Sequence, residues 1–455
     1  VVIAPTVGAL QTVPGPLDDP EAGYRSRFDK KDEVARPGYY SVLLKDYGVK
    51  AELTATERVG FHRYTFPASE EANLIFNIGT KMGESGPARD ASVTFTEDGR
   101  IEGWVVTEPV YVDIYQKGAV VKMYFSAVVD AEPASWGAFC GEEVFAGERS
   151  RTGVGAGVYL RFDTRARRDV GVKIGLSYTS VENARLNMNT EQPGFDFDKV
   201  RTAASTMWNK DLSKVQVEGG TKDEKTIFYT GMYHLLIHPN ILQDVNGEYP
   251  MMESLKVGHT TGNRYTVFSL WDTYRNVSTL MTLLYPERQL DIIRTMLDMY
   301  RENGWLPKWE LYGRETFTME GDPSIPYIVD AWMRGLRDFD EQTAYEAMRK
   351  GATTPGEFNL LRPDANDYFS KGYVPLREQY DNSVSHALEY YIADWNLANF
   401  AQALGKKEDA KLFRDRSLGY KHYYSKEFGT LRPILPDGTF YSPFDPKQGE
   451  NFEPS

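Results

Sequence analysis

From Ala51 to Phe66 (AELTATERVGFHRYTF) apolar and polar residues alternate with period two, as a half-buried strand requires. Similar short runs follow at Ala72–Ile78, Ala91–Thr96, Ile101–Thr107, Tyr111–Gln116, Val120–Val129, Gly157–Phe162 and Val170–Tyr178. Turn chemistry separates them: Glu97-Asp98-Gly99, Lys117-Gly118, and the charged stretch from Asp163 to Asp169. Strands this short and this closely spaced predict an antiparallel β-sandwich over residues 1–180, and not βαβ units. The pattern then changes. Ser180-Val-Glu-Asn-Ala opens a connector, and Phe197–Val215 reads as a linking helix carrying Trp208 and Leu212, so 181–220 is expected to be a helical linker. From Thr221 onward the apolar period is helical. Helices are predicted at about 222–238, 268–284, 287–303, 323–337, 341–353, 382–404 and 406–426, with a hairpin in Gly429–Phe440 turning at Pro436-Asp437-Gly438. Paired helices with long aromatic-rich loops predict an α/α hairpin array over 221–455, giving a multidomain β plus α chain. No repeat of fixed period is visible.

At 455 residues the chain exceeds one ordinary core, which agrees with more than one domain. A net charge of −13 argues against nucleic acid and anionic membrane surfaces as partners, since both select basic patches. No apolar run approaches the roughly 18 residues that span a bilayer, so membrane insertion is not expected. Cys140 is the lone cysteine, which excludes an internal disulfide and a cysteine-based zinc site. That suits a cytoplasmic protein and, equally, an exported bacterial one that avoids thiols. No signal peptide is visible, although Val1 opens the chain without a methionine. The sequon Asn276-Val277-Ser278 falls inside a predicted helix and is read as chance.

The chemistry concentrates in Tyr265-Thr-Val-Phe-Ser-Leu-Trp271-Asp272-Thr-Tyr-Arg275. An indole beside a carboxylate is how proteins grip sugars: the ring covers the C–H face and the carboxylate accepts from hydroxyls. The plainer alternative is an amphipathic helix with Trp271 in the core and an Asp272–Arg275 surface pair. A second cluster, Gly304-Trp305-Leu-Pro-Lys-Trp309-Glu310 with Phe317-Thr-Met-Glu320-Gly321-Asp322-Pro-Ser324, lies in the next inter-helix loop, at a spacing that allows one shared rim. There too a plainer role exists, with Asp322 and Ser324 capping the following helix. Other motifs are weaker. Gly153-Val-Gly155-Ala-Gly157 precedes a strand instead of a helix and is a sheet connection. Asp364-Ala-Asn366-Asp367 lacks the glycine and closing glutamate of a calcium loop. His234 and His238 suit core or capping roles better than zinc.

Taken in order, Pro37-Gly-Tyr-Tyr40, Ala51-Glu-Leu-Thr-Ala-Thr56, Gly60-Phe-His-Arg-Tyr64, Trp271-Asp-Thr-Tyr-Arg275, Leu306-Pro-Lys-Trp309, Met319-Glu-Gly321, Ser383-Val-Ser385 and Leu388-Glu389 resemble the family 92 glycoside hydrolases. The resemblance implies a calcium-dependent, inverting exo-α-mannosidase acting on terminal α-mannosides, α-1,2 first, of N-glycans or mannan. It implies a β-sandwich packed on an (α/α)6 barrel, and a bacterial periplasmic or secreted location. Trp271 and Asp272 would hold the terminal mannose, and Trp309, Glu310 and Asp322 join them as expected substrate contacts, with Glu310, Glu320 and Asp322 the carboxylates to test first. Calcium would bind sugar hydroxyls. Inversion needs an acid and a base carboxyl about 6.5–9.5 Å apart. The family motifs that carry them, and most calcium contacts, would lie beyond Ser455, and an opening motif before Val1. With seven predicted helices where six closed hairpins need twelve, the barrel is expected to be incomplete and the chain a part of a longer enzyme. Two alternatives stand beside this: a non-catalytic glycan-binding protein, and another (α/α)6 sugar hydrolase of the glucoamylase-like or trehalose-phosphorylase-like kind.

Overall fold

A computed structural model describes residues 1–16, 18–19, 22–81, 86–377 and 383–447. The chain forms two compact units, Val1–Ile237 with Ile241–Pro250 and Lys256–Thr261, and His238–Asn240 with Met251–Leu255 and Gly262–Ser455.

The first unit is built on two antiparallel sheets. The smaller, of five strands, runs Val2–Val7, Ala72–Asn77, Ala156–Phe162, Ser135–Cys140, Glu143–Ala146 in spatial order. The larger, of nine, runs Ser150–Thr152, Ala88–Phe95, Arg100–Thr107, Val121–Val129, Asp169–Ser177, Val59–Thr65, Val49–Ala55, Tyr39–Leu44, Val34–Arg36. Period-two alternation puts Val49, Val93 and Phe125 of the larger sheet into one core with Leu74, Phe76 and Val158 of the smaller, which makes this a sandwich. Ala72–Asn77 is buried along its whole length because its other face is covered too, by Tyr24 and Ala4 around Ile75. The glycine run is the sheet connection expected. Gly153 and Gly155 take φ of 107° and 84°, and a methyl on Gly157 would lie 1.9 Å from Cζ of Phe139.

Two expectations in this unit fail for local reasons. The run Ala51–Phe66 is a hairpin of two strands, closed where Thr56 N–H donates to Val59 C=O (2.9 Å). Alternation continues through the turn, so periodicity alone could not mark it. Tyr111–Gln116 is a helix, Val110–Tyr115, entered through Pro109. Only Val112 of it is buried, and one buried position satisfies either period. Three more helices belong to this unit: Val181–Glu191, Phe197–Leu212 and Lys222–Leu235. Each begins on a side-chain cap, from Ser180, Asp196 and Thr221; the last is a capping box closed by Glu224.

In the second unit the helices are Leu270–Thr273, Val277–Leu284, Pro286–Asn303, Ser324–Met333, Glu341–Thr353, Ala365–Lys371, Ser383–Ala403 and Lys407–Ser417. The predicted 268–284 helix is broken at Asn276 (φ −142°), and the predicted 406–426 helix ends at Ser417 before a 3-10 turn. Residues 429–440 keep the turn at Gly438 (φ 88°) but only a single bridge, Ile434 to Phe440. Tyr368, Ala387, Tyr390, Tyr391 and Tyr423 form an aromatic core around Ser383–Ala403. No described helix is long and apolar enough to cross a membrane.

Candidate sugar site

The two tryptophan segments meet through the main chain. Phe268 N–H donates to Glu310 C=O (3.0 Å) and Leu270 N–H to Lys308 C=O (3.3 Å). Trp271 follows one residue after this short ladder and Trp309 lies between its two acceptors, so both expected sugar contacts stand at one place. Trp271 and Trp309 are half-buried and Asp272 is exposed, its carboxylate accepting from the Ser269 hydroxyl.

Glu310 and Asp322 are placed differently. Glu310 opens a hairpin, Glu310–Leu311 against Arg314–Glu315, whose turn holds Tyr312 and Gly313 both at positive φ (51° and 85°). Its carboxylate is fully buried and accepts from Thr266 Oγ1 (2.9 and 3.1 Å), Val267 N (3.1 Å) and Gly313 N (2.5 Å). Burial pushes this carboxyl up to about 7, against the pull of the Gly313 amide and the Thr266 hydroxyl. Its oxygens are spent on two backbone amides and the Thr266 hydroxyl, so the expected direct contact with sugar is not what this geometry offers. Glu315, which the sequence did not single out, does the same on the other strand. It accepts from the amides of Lys308 (2.7 Å), Trp309 (2.8 Å) and Phe317 (2.9 Å). Together the two carboxylates hold Val267 and a loop containing Tyr312, Phe317 and Met319, all at positive φ (66°, 51°, 53° and 68°). Such conformations cost a β-branched or bulky residue and persist only where surroundings impose them.

Asp322 is buried against Arg362 (3.4 Å), which also donates to Asp394 (2.8 Å). Arg416 and Tyr368 donate to Asp394 as well. Burial raises the Asp322 carboxyl although Arg362 and Lys308 oppose it; at Asp394 burial is outweighed by Arg362 and Arg416, which hold it below its ordinary value. Asp322 is therefore a member of a buried charge network and not a surface contact. Neither does it cap: Ser324–Met333 starts without a side-chain cap, and Ser324 Oγ donates to Pro307 C=O.

Around Trp271 the expected Asp272–Arg275 surface pair gives way to another. Arg275 Nη2 donates to Glu389 Oε1 (2.6 Å) on Ser383–Ala403, and Tyr274 Oη to Glu389 Oε2 (2.9 Å). The guanidinium carbon lies 4.7 Å from the Trp271 ring centroid. Glu320 accepts from Ser385 Oγ (3.3 Å) nearby. Burial raises the Glu389 carboxyl, opposed by Tyr274 and Arg275 and abetted by Glu320.

Among the described residues no three His, Cys, Asp or Glu side chains cluster to hold a metal. Asp364 pairs with His386 (2.9 Å), Asp367 with Arg377 and Lys371, and Asn366 accepts from Gly356 N (3.0 Å), so that segment spends its oxygens on protein donors. The donor set that calcium needs, six or more oxygens about one ion, is not assembled by these side chains.

Comparison with known proteins agrees with the architecture. Residues 1–177 match the glycosyl hydrolase family 92 N-terminal domain, and residues 183–454 the family 92 catalytic domain. The family GH92 α-mannosidase BT3965 from Bacteroides thetaiotaomicron, whose structure is also known with mannoimidazole, is 31% identical, with a TM-score of 0.89 over 98% of this chain and 59% of its own. The family GH92 inverting mannosidase BT2199 from the same species is 26% identical, with a TM-score of 0.86 over 97% of this chain and 58% of its own. An uncharacterized secreted glycosidase of Arthroderma benhamiae is 26% identical over 447 residues, which is 89% of this chain and 52% of that protein. The chain thus spans between half and three-fifths of the length of these relatives. With an antiparallel β domain followed by a helical domain, and both family domains matched along it, the chain belongs to glycosyl hydrolase family 92.

Proposed function

We propose that this chain works as part of an inverting exo-α-mannosidase that hydrolyses terminal α-mannosides, α-1,2-linked ones first, of N-glycans or mannan. The observation that carries the reading is the half-exposed indole of Trp271 beside the exposed Asp272 carboxylate, held next to Trp309 by main-chain bonds. The Trp271 ring covers the C–H face of the terminal mannose, Asp272 accepts from its hydroxyls and Trp309 lines the same rim. Glu310 serves the site from behind, by fixing the hairpin that follows Trp309, and Asp322 serves it only indirectly, as the buried partner of Arg362. The mannoimidazole complex of a 31% identical relative supports the substrate class.

The domain reading is β-sandwich over 1–180, linker over 181–220 and the first part of an (α/α)6 barrel over 221–455, with the exception that the helix Lys222–Leu235 belongs to the first compact unit. A periplasmic or secreted location is in keeping with the secreted relative. Calcium dependence is part of the proposal, but the described side chains do not form its cage, and no step here is routed through it.

The test is mannose release from an α-1,2-linked mannobiose, together with calorimetric titration of mannose. Trp271→Ala should weaken binding at least about tenfold, the worth of one stacking plate with its hydrogen-bonding neighbour. Release should cease with EDTA and return with added calcium. Binding unchanged by Trp271→Ala would refute the site, and mannose bound without release by the longer enzyme that carries both the acid and the base would favour the glycan-binding alternative.

A further inference from the structure

Glu389 is separated from Trp271 by 118 residues of sequence, yet the hydrogen bonds of its carboxylate are made to the two residues that follow Thr273. One oxygen takes Tyr274 and the other Arg275, so the carboxylate bridges the pair. Arg275 in turn donates from Nη1 to Trp271 C=O (3.1 Å) and lays its guanidinium over the indole. An exposed guanidinium stack is weak and mobile when unaided. Arg275 is 42% exposed, so it is the fixed carboxylate that holds the cation over the ring, 4.7 Å from its centroid and 4.5 Å from that of Tyr274. Glu389 itself has little room to move: a methyl on Gly321 would lie 2.4 Å from its Cβ.

We propose, building on the sugar site assigned above, that Glu389 is a positioning residue for the Trp271 plate. It clamps Arg275 against one face of the indole and so assigns the opposite face to the C–H surface of the sugar. Glu389 touches no substrate. Its effect is transmitted through Arg275 and is felt only where Trp271 is felt.

The experiment uses the full chain and a double-mutant cycle of Glu389→Gln with Trp271→Ala, read by mannose titration, with Tyr274→Phe as a second probe that leaves the carboxylate in place. Glu389→Gln should weaken mannose binding about fivefold or more in the native background and by less than about twofold in the Trp271→Ala background, because coupled residues are not additive. A sugar-free readout accompanies it: acrylamide quenching of the Trp271 fluorescence, isolated by subtracting Trp271→Phe, should rise about twofold in Glu389→Gln as the plate loosens. Equal losses in both backgrounds, or quenching that does not change, would overturn the proposal. If Trp271→Ala left mannose binding intact, the sugar site would fall, while quenching would still decide whether Glu389 positions the indole. Where Glu389→Gln failed to fold, Tyr274→Phe would be judged by the same two readouts.

Discussion

Removing Glu315 tests whether buried carboxylates hold the tryptophan loop. In Glu315→Ala the amides of Lys308, Trp309 and Phe317 lose their acceptor at once. A buried donor left unmade costs about 1–3 kcal/mol. Trp309 and Phe317 are half-exposed, so water can reach their amides, whereas the Lys308 residue is buried. The full penalty then applies once and a reduced one twice, or about 3–5 kcal/mol in all. Glu315→Gln is milder. Its oxygen can still serve Trp309 and Phe317, which share Oε1, but its amide meets the Lys308 N–H donor to donor, and about 1–3 kcal/mol is lost. Phe317 and Met319, relieved of positive φ, favour the opened loop, so the change should be local and not global. Hydrogen exchange followed at these three amides should show protection falling by about tenfold for Glu315→Gln and more than a hundredfold for Glu315→Ala, at 1.4 kcal/mol per decade. Glu253, which accepts from the Glu315 amide (2.6 Å), remains as an internal control. Protection within threefold of the native value in Glu315→Ala would show that something else holds the loop.

Glu310 gives a pH signature. Its carboxyl sits at about 7 in the fold against an ordinary 4.5, so the fold prefers it protonated. The stability this contributes is fully present below about pH 4.5 and is lost as pH rises through about 7, a change of about 3 kcal/mol. Glu310→Gln should flatten that slope in urea midpoints taken at intervals from pH 4.5 to 8; parallel slopes would refute it. Arg362→Met strips the counter-charge from Asp322 and one of two arginines from Asp394, and should cost about 3–5 kcal/mol in thermal or urea unfolding. A loss below 1 kcal/mol would mean the network is wet. Gly321→Ala, at φ 83° and against Glu389, should destabilise by about 2–4 kcal/mol and weaken mannose binding with it; a neutral melt would argue against the close approach.

Much of the fold was legible because burial is periodic. Strands such as Ala91–Thr96 and Ile101–Thr107 and helices such as 287–303 and 341–353 announce themselves through one buried face. What periodicity misses is where that face is shared or lost. Val2–Val7 and Ser135–Cys140 do not alternate cleanly, and Val110–Tyr115 buries a single side chain. In the candidate site Trp271, Asp272 and Trp309 were singled out by residue type, since an indole beside a carboxylate is chemically distinctive, and they remain the proposed contacts. Glu310 and Asp322 carried the same signal but face inward, and nothing local distinguishes a carboxylate that accepts from amides from one that accepts from hydroxyls. The bridge from Glu389 to Tyr274 and Arg275 spans 114 residues between Arg275 and its partner, and only the fold can bring them together.

The short ladder between residues 268–270 and 308–310 has a consequence for how these two segments can evolve. Their separation is set by main chain, so exchanging either indole for another side chain alters what is presented there without altering that separation. Chemistry and spacing are thereby uncoupled: substitutions retune the side chains one residue at a time. A change of spacing needs an insertion or deletion, and slipping the ladder by one residue would turn each paired side chain to the opposite face. Drift in this region should therefore accumulate as exchanges of residue type at constant length.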